Sequence, residues 1–457
     1  MFFTRFSQFC CRDLNKYTLF LLWWLLVCPA ISLHGYARAE DQTSDTLDLD
    51  FEIPEVEKKP YEFKAELEIS ETVKGLDEDS LLFHQKYPNG VDDETFYQTD
   101  LNLKVEGSYQ VNIVKLYARL KGNLYYNNEA DWENDRRTEE AYLSLQPSPS
   151  ITFDAGKKVL KWGKGYAWNP AAFFSRPKDL DDPDATLEGY YVVSGDFIKS
   201  MDGLLKTVAL TPVILPVSRH VNDEWGSEKE VIWGSKIYFF TFNTDLDVMF
   251  LIGKEVKDRL GFDFSKNLSS NLEIHGETAI VFDHRKDIAD QEGNLTEEKG
   301  DVLNFLAGVR YLTKSDTTFI FEYFRNGQGY TRDEMKDYFT LIEDGYQEYI
   351  SSGSMAKLAT SREYGSQFYN KQTVMRDYLY LKVTQKEPFD ILYFTPSMAC
   401  IYNLNDKSSS ITPQIKYTPI TNLELDLKAT FLLGKDYTEY GDKINDYKII
   451  ASVKYYF

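Results

Sequence analysis

The chain has 457 residues, and its 72 acidic side chains outnumber its 51 basic ones, for a formal net charge of −21. This negative balance disfavours nucleic acid as a partner, because phosphate backbones are bound by basic surfaces. No apolar run long enough to cross a bilayer as a helix follows the first forty residues, which excludes a helical membrane protein.

Residues 1–39 have the three-part pattern of a secretory signal peptide. Basic side chains precede the apolar run "YTLFLLWWLLVCPAISL", and Ala37 and Ala39 form a small-x-small exit. We predict export with cleavage near Ala39. An uncleaved membrane anchor is the alternative, but the run is short for a span of ~20 residues. Because residues 1–39 carry +3 and the whole chain −21, the mature chain is close to −24.

Residues 40–60 are acidic and are predicted to form a disordered periplasmic tail. This segment is too short for the plug domain of a gated receptor. Cys400 is the one cysteine that remains after the predicted cleavage, so the mature chain forms no internal disulfide. An exported protein without disulfides is typical of the bacterial envelope.

Apolar and polar side chains alternate with a period of two from residue 61 onward. The stretches "YEFKAELEIS", "NLEIHGETAIVF" and "LELDLKATFLL" each place apolar residues on one face and charged residues on the other. The pattern persists for ~10 residues at a time, the length that a tilted strand needs to cross a bilayer, whereas strands of soluble proteins are nearer 5–6 residues. A soluble sandwich is the alternative, but it rarely has so many long strands.

Eighteen such segments predict an all-β fold, a transmembrane antiparallel β-barrel at residues 61–457 with long extracellular loops. A count of 16 stays open, because the stretches at 187–211 and 246–266 alternate least clearly. The predicted strands are 61–72, 95–111, 115–126, 137–146, 151–161, 187–199, 203–211, 230–242, 246–256, 258–266, 271–283, 301–312, 317–327, 374–386, 390–403, 409–418, 422–434 and 446–457.

The connections between these strands alternate in length, as they do in barrels with short periplasmic turns and longer external loops. The inner connections are short and rich in turn residues. The long outer connections are predicted at 73–94, 127–136, 162–186, 212–229, 284–300, 328–373 and 435–445. An even number of strands returns the C-terminus to the periplasm.

The chain ends on "DYKIIASVKYYF", with Phe457, Tyr455 and apolar residues at alternate positions before them. This tail resembles the C-terminal signature of Gram-negative outer-membrane β-barrels of the porin-like type. The resemblance implies a bacterial outer-membrane location, with lipid and lipopolysaccharide around the barrel. It also implies that Phe457 and Tyr455 are the signal for the barrel-assembly machinery, and that periplasmic chaperones deliver the chain.

The segment "GKKVLKWGKGYAWNP" is similar to strand ends of poorly characterised porin-like families, including relatives of polysaccharide exporters. This resemblance assigns no substrate. The expected function is a channel for small hydrophilic solutes or ions. A selective exporter or importer of saccharides stays open, as does a different class, an outer-membrane enzyme or a structural or adhesive barrel.

An enzyme is disfavoured because the sequence shows no nucleophile elbow beside a histidine. After the predicted cleavage four histidines remain, at His84, His220, His275 and His284. No metal-spaced cluster of cysteine and histidine and no phosphate loop is present in the sequence, so no cofactor is predicted.

The loop at 162–186 carries the candidate pore residues. Opposed basic and acidic groups at a constriction set a transverse field and select permeants, and the aromatic residues suit stacking on sugars. A solvated surface loop is the alternative, and the acidic cluster also suits a divalent cation. The candidates are Lys161, Trp162, Lys164, Trp168, Arg176, Asp179, Asp181, Asp182 and Asp184.

The longest loop, 328–373, has apolar residues at helical spacing in "TRDEMKDYFTLIEDGYQEYISSG". The pattern predicts a short amphipathic helix that either caps or enters the mouth, or lies on the outer rim, and both alternatives stay open. The net charge favours cations in the pore. Basic residues of inward parity, such as Arg119 and Lys382, leave anions and sugars open as permeants.

Overall fold

The computed structural model describes residues 59–457, apart from the side chains of residues 130 and 131. The predicted signal peptide at 1–39, and the predicted tail as far as residue 58, lie outside the described residues. Eighteen antiparallel strands form one sheet in which each strand pairs with its sequence neighbours and β1 pairs with β18. The sheet is therefore a closed barrel, as predicted, and it has 18 strands rather than 16.

The strands follow the predicted order along the chain. They are β1 Tyr61–Leu76, β2 Thr95–Val111, β3 Val114–Asn127, β4 Ala130–Ser148, β5 Ile151–Lys158, β6 Tyr190–Ser200, β7 Leu205–Val217, β8 Glu230–Thr241, β9 Thr244–Ile252, β10 Arg259–Ser269, β11 Leu272–Ala289, β12 Leu295–Leu312, β13 Thr317–Arg325, β14 Asp377–Gln385, β15 Phe394–Asn403, β16 Ser409–Ile420, β17 Leu423–Leu433 and β18 Asn445–Tyr456.

Two of the long outer loops predicted from the sequence are wrong. The segments at 127–136 and 284–300 are mostly strand, because β3 and β4 are joined by residues 128–129 and β11 and β12 by residues 290–294. Both hairpins are strongly charged here. A strand pair that extends beyond the bilayer needs no apolar face, so the sequence pattern that marks membrane strands stops before the hydrogen-bonded ladder does.

Period-two alternation sorts the side chains of the wall into two environments. Large apolar residues such as Leu103, Phe262 and Phe321 are exposed on the outside, where lipid is expected. The inward face is polar, and at the barrel seam Lys454 on β18 lies 3.7 Å from Glu68 and 3.6 Å from Glu424.

The seam also orders the end of the chain. Tyr455 pairs with Leu67 in the ladder between β18 and β1. The backbone N–H of Phe457 donates to the carbonyl of Ala65 at 2.9 Å, and its ring lies 4.8 Å from that of Tyr455. The role of these residues as an assembly signal stays a prediction.

Three α-helices lie in the outer connections: α1 (Leu81–Lys86), α2 (Arg332–Ser352) and α3 (Ala356–Tyr364). A capping box between Thr331 and Glu334 begins α2. Along the described chain, no helix combines the length and the apolarity needed to cross a membrane.

The helices pack together over the end of the barrel, in what we call the cap: residues 77–94, 326–376 and 434–444. Gln85 of α1 donates to the hydroxyl of Tyr338 on α2 at 3.1 Å. Lys286, at the outer end of β11, lies 2.9 Å from Glu334. The buried face of α2 is part of an apolar cluster with residues of α1, α3 and the barrel rim. Of the two readings of loop 328–373, the structure shows the cap.

Candidate functional site

The connection between β5 and β6, residues 159–189, crosses the interior of the barrel, and we call it the inner loop. The Nζ atom of Lys164 lies 2.9 Å from Asp247 on β9. Further along the loop, Asp184 lies 2.8 Å from Lys382 on β14, and the carbonyl of Asp181 accepts from Lys428 on β17 at 3.2 Å. A loop that leaves from β5 and contacts these strands lies within the barrel rather than outside it.

A single wall carboxylate, Glu277 on β11, binds the first part of the inner loop. Glu277 is 2% exposed and accepts the backbone N–H groups of Lys164, Gly165 and Ala171 at 2.5, 2.7 and 3.0 Å. Hydrogen bonds of this kind offset the cost of burying a charged group. Gly163 allows this approach, because its φ is +85° and an added Cβ would lie 2.8 Å from the Glu277 carboxylate.

A second wall carboxylate, Glu322 on β13, extends the same attachment. Glu322 is 0% exposed and accepts the N–H groups of Tyr166 and Ala167, the latter at 2.8 Å. His275 lies 2.9 Å from the same carboxylate and is itself buried. This histidine is therefore part of the attachment of the loop. Together Glu277 and Glu322 bind five backbone N–H groups of the inner loop.

Apolar packing holds the remainder of the inner loop. Trp162, Phe173 and Phe174 are buried in one cluster with inward-facing residues such as Leu215 and Met249. The strands "TPVILPV" at 211–217 and "DVMFLI" at 247–252 are therefore apolar on both faces near their outer ends. The sequence reasoning missed this, although the loss of alternation signals an inner face that is covered instead of wetted.

The basic candidate residues of the loop have separate surroundings. Lys164 pairs with Asp247, and Arg176 makes two bonds to Glu224, at 2.5 and 2.6 Å. Lys161 is exposed to the barrel interior and has no acidic partner within 4 Å in the described chain.

The aromatic candidates are occupied by packing. Trp168 is buried, and its ring stacks on that of Phe324 with centroids 5.0 Å apart. Its Nε1 donates to Thr373 of the cap at 3.2 Å. Trp162 is buried against Phe174. These two rings are therefore part of the scaffold of the inner loop.

The acidic candidates do not form one cluster opposite the basic ones. Asp181 pairs with Lys448 on β18, and Asp184 pairs with Lys382 on β14. Asp179 instead accepts the backbone N–H of Asp181 in a turn, and Asp182 donates its own N–H to the carbonyl of Asp179. Within residues 59–457 no group of three or more acidic, histidine or cysteine side chains has the arrangement to hold a metal ion.

A cavity of about 1620 Å³ remains between the inner loop and the wall formed mainly by β2–β8, and Arg259 of β10, Phe324 of β13 and residues 371–373 of the cap also line it. We call this the open side of the barrel, and the wall from β9 to β18 the covered side. Nine basic and five acidic side chains line the cavity. The basic residues are Lys115, Arg119, Lys158, Lys161, Arg176, Lys178, Lys236, Arg259 and Lys371, and the acidic ones are Glu106, Glu140, Asp184, Asp196 and Glu224.

The charges that lack a partner in this cavity are mainly basic. Arg259 lies between the rings of Phe173 and Trp225, at 6.0 and 5.6 Å. Among the described residues no carboxylate lies within 4 Å of Arg259 or Lys371, and Nε of Arg259 is buried without a hydrogen-bond partner. By contrast, Glu140 pairs with Arg119 at 3.0 Å. The side chains that line the cavity are therefore net basic, whereas the whole chain is net acidic.

Comparisons with known proteins give an independent test of the fold. No family model and no curated protein matches the sequence. Among solved structures, Pseudomonas aeruginosa OccK11 (OpdR) matches with 10% identity over 86% of this chain and 96% of that chain, at a TM-score of 0.50. Pseudomonas aeruginosa OpdQ matches with 11% identity over 87% and 99%, also at 0.50. A Rhodopseudomonas blastica porin variant matches over 87% and 100% with 9% identity, at a TM-score of 0.42. The first two matches, with the closed 18-strand sheet, confirm the porin-like β-barrel predicted from the sequence as the fold of this chain.

Proposed function

We propose that the protein is a channel of the bacterial outer membrane through which small hydrophilic solutes diffuse, with anions favoured over cations. The observation that supports this proposal is the cavity of about 1620 Å³ beside the inner loop, lined by nine basic and five acidic side chains. Charged side chains at close quarters in a narrow passage set its ion preference. The chain acts by binding and orienting permeants in this passage, and no catalytic step is proposed.

The net charge of −21 argues for cations, but the position of the acids removes much of that argument. Asp247, Asp263, Glu277 and Glu322 are buried beneath the inner loop on the covered side, and each is at most 2% exposed. Lys164 of the loop pairs with Asp247, and backbone N–H groups of the loop occupy Glu277 and Glu322. Charge–charge interaction weakens with distance and with intervening water, so the nearer basic residues dominate.

The saccharide alternative loses part of its support in this structure. It rested on aromatic side chains that suit stacking on sugar rings. Trp162, Trp168, Phe173 and Phe174 are all buried in apolar clusters, and Trp168 stacks on Phe324. Trp162, Trp168 and Phe173 do line the cavity, but each is at most 6% exposed, so little of each ring is available to a sugar.

The test is ion selectivity in planar bilayers. The full chain, purified from outer membranes, should form channels whose reversal potential in a potassium chloride gradient has the sign of an anion-selective pore. Liposome swelling should be faster with a small carboxylate than with an amine of equal size. Bilayers that show no conductance after the protein is added would contradict a channel altogether. Channels that prefer cations would support the channel but reject the anion preference.

The remaining expectations on partners and export belong to the same proposal. Lipid and lipopolysaccharide contact the apolar outer face, which exposes residues such as Leu103 and Phe262. Phe457 and Tyr455 serve the assembly machinery, so deletion of Phe457 should lower the amount of protein in the outer membrane. Protein that does insert should conduct normally, since Phe457 lies at the periplasmic end of β18.

A further inference from the structure

A second cavity, of about 490 Å³, lies in the cap and is separate from the passage beside the inner loop. Three segments enclose it: α1, the region from α2 to residue 374, and the loop at 434–444. Apolar side chains, among them Met335 and Phe339, form part of its lining. Exposed residues such as Ser366 and Asn370 are also part of the lining, so the cavity reaches the surface of the cap.

Glu439 is the buried acid of this cavity, and half of its carboxylate has no partner. The side chain is 2% exposed. Its Oε2 accepts from the hydroxyl of Tyr378 and from the amide of Asn403, both at 2.7 Å, whereas Oε1 is buried without any hydrogen bond. A buried polar atom left unpaired costs free energy. Burial raises the pKa of Glu439 to about 7, which reflects the same lack of solvation.

Three cationic side chains line the cavity with this acid, and one of them, Lys86, already lies 3.4 Å from Glu129. Arg362 uses Nε to donate to the carbonyl of Gln85, at 2.5 Å. Neither Arg362 nor Lys443 has a carboxylate within 4 Å in the part of the chain that the structure describes. The cavity therefore presents one acceptor without a donor, two cations without a carboxylate within 4 Å among the described residues, and an apolar wall.

We propose that this cavity binds a small zwitterion of the amino-acid class, whose ammonium donates to Oε1 of Glu439 and whose carboxylate accepts from Arg362 and Lys443. An apolar side chain of the ligand then lies against Met335 and Phe339. A bare cation suits the cavity poorly because three basic groups line it, and a bare anion leaves Glu439 unsatisfied. The site is independent of the proposed channel function.

The ligand contacts all three segments of the cap at once. A molecule that binds the folded cap and not its opened form stabilises the folded form by mass action. Occupancy should therefore protect the cap from proteolysis between α2 and α3, around Gly353, where the chain has a positive φ of 75° and is exposed.

Isothermal titration of the detergent-solubilised full chain tests the proposal with three matched probes. L-leucine carries both charges, L-leucinamide lacks the carboxylate, and 4-methylpentanoate lacks the ammonium. L-leucine should bind, and each analogue should bind about tenfold more weakly or worse, the value of one charged hydrogen bond. Equal binding of the three probes, or no binding of any, overturns the proposal and leaves a cavity occupied by water only.

Variants assign the two halves of the ligand. Lys443→Met should reduce the affinity for L-leucine part of the way to that for L-leucinamide, because Arg362 remains, and Glu439→Gln should reduce it toward that for 4-methylpentanoate. Lys336→Met, on the exposed face of α2, is the matched control and should leave affinity unchanged. If Glu439→Gln does not fold, as judged by heat-modifiable migration, Lys443→Met decides. Unchanged affinity in Lys443→Met rejects the site.

Discussion

The two sides of the barrel interior share one sequence pattern and have opposite environments. On the open side, inward-facing residues such as Glu106, Lys115 and Asp196 are partly exposed and line the cavity. On the covered side, Glu277 and Glu322 have the same inward parity, yet they are buried beneath the inner loop. Alternation thus specifies which residues point inward, and the loop decides whether they meet water or protein.

The difference teaches how a loop is held inside a polar barrel. A wall with a polar inner face offers little apolar surface to pack against. The inner loop is attached through carboxylates that accept its backbone N–H groups, and through a restricted apolar cluster near the outer ends of β7–β9. This attachment buries acidic side chains on the covered side. The charge of the open side is then determined mainly by its basic residues.

Shortening the loop should reduce the difference between the two sides, and this is the largest effect we expect. Deletion of residues 170–184 removes the segment that divides the lumen. Single-channel conductance should rise several-fold, and larger solutes should pass, because an 18-stranded barrel without an internal loop has a wide aqueous lumen.

The control for this deletion is a shortened turn at 313–316, between β12 and β13 at the opposite end of the barrel from the cap, which should conduct as wild type does. Conductance and exclusion size within error of wild type in the 170–184 deletion would show that the loop does not limit the passage.

Weakening the attachment of the inner loop should reduce the difference between the covered and open sides while the loop stays present. In the double variant Glu277→Gln and Glu322→Gln, an amide N–H replaces one acceptor at each anchor and meets a backbone N–H. Hydrogen bonds to charged groups contribute about 1.5–3 kcal/mol each, so the loop should become mobile. We expect noisier open-channel current and faster tryptic cleavage near Lys164 and Lys178.

Glu106→Gln provides the matched control, since Glu106 is an inward carboxylate of the open side. It should leave current noise and cleavage unchanged. If the double variant is as quiet and as protease-resistant as wild type, the two carboxylates are not what holds the loop.

Replacing the unpaired cations of the cavity should show how far they set the ion selectivity of the open side. Arg259→Met and Lys371→Met each remove a positive charge that has no carboxylate within 4 Å among the described residues. The reversal potential should move toward cations in each variant and further in the double variant. Lys299→Met, on the exposed hairpin of β12, should not move it. An equal shift in all three variants would mean that overall charge, not the cavity, sets selectivity.

The barrel could be predicted in detail because its signal is local. Period two is read within one strand, and β2 was predicted at 95–111 and observed at Thr95–Val111. The attachment of the inner loop could not be read in this way. Asp184 and Lys382 are 198 residues apart, and Glu277 differs in nothing local from other inward acids. The apolar inner face of β7 was visible as lost alternation, but its meaning required the position of the loop.

The smallest expected effect concerns the acidic residues of the inner loop. It distinguishes the prediction made from the sequence from the one made from the structure. The sequence treats Asp179, Asp181, Asp182 and Asp184 as one group. In the structure, Asp184 lines the cavity and pairs with Lys382, whereas Asp179 closes a turn. Asp184→Asn should free the Lys382 ammonium and shift the reversal potential toward anions.

Substitutions at the other three aspartates should give smaller shifts of the reversal potential. Asp181→Asn frees Lys448 and should act in the same direction but more weakly, because Asp181 does not line the cavity. Asp179→Asn and Asp182→Asn should shift it least. Ion pairs with exposed partners contribute about 0–1 kcal/mol, so none of the four changes should reduce assembly. Equal shifts of the reversal potential in all four variants, measured in the same salt gradient, would mean that the four aspartates act as one acidic group, as predicted from the sequence. They would contradict the separate roles that the structure gives them.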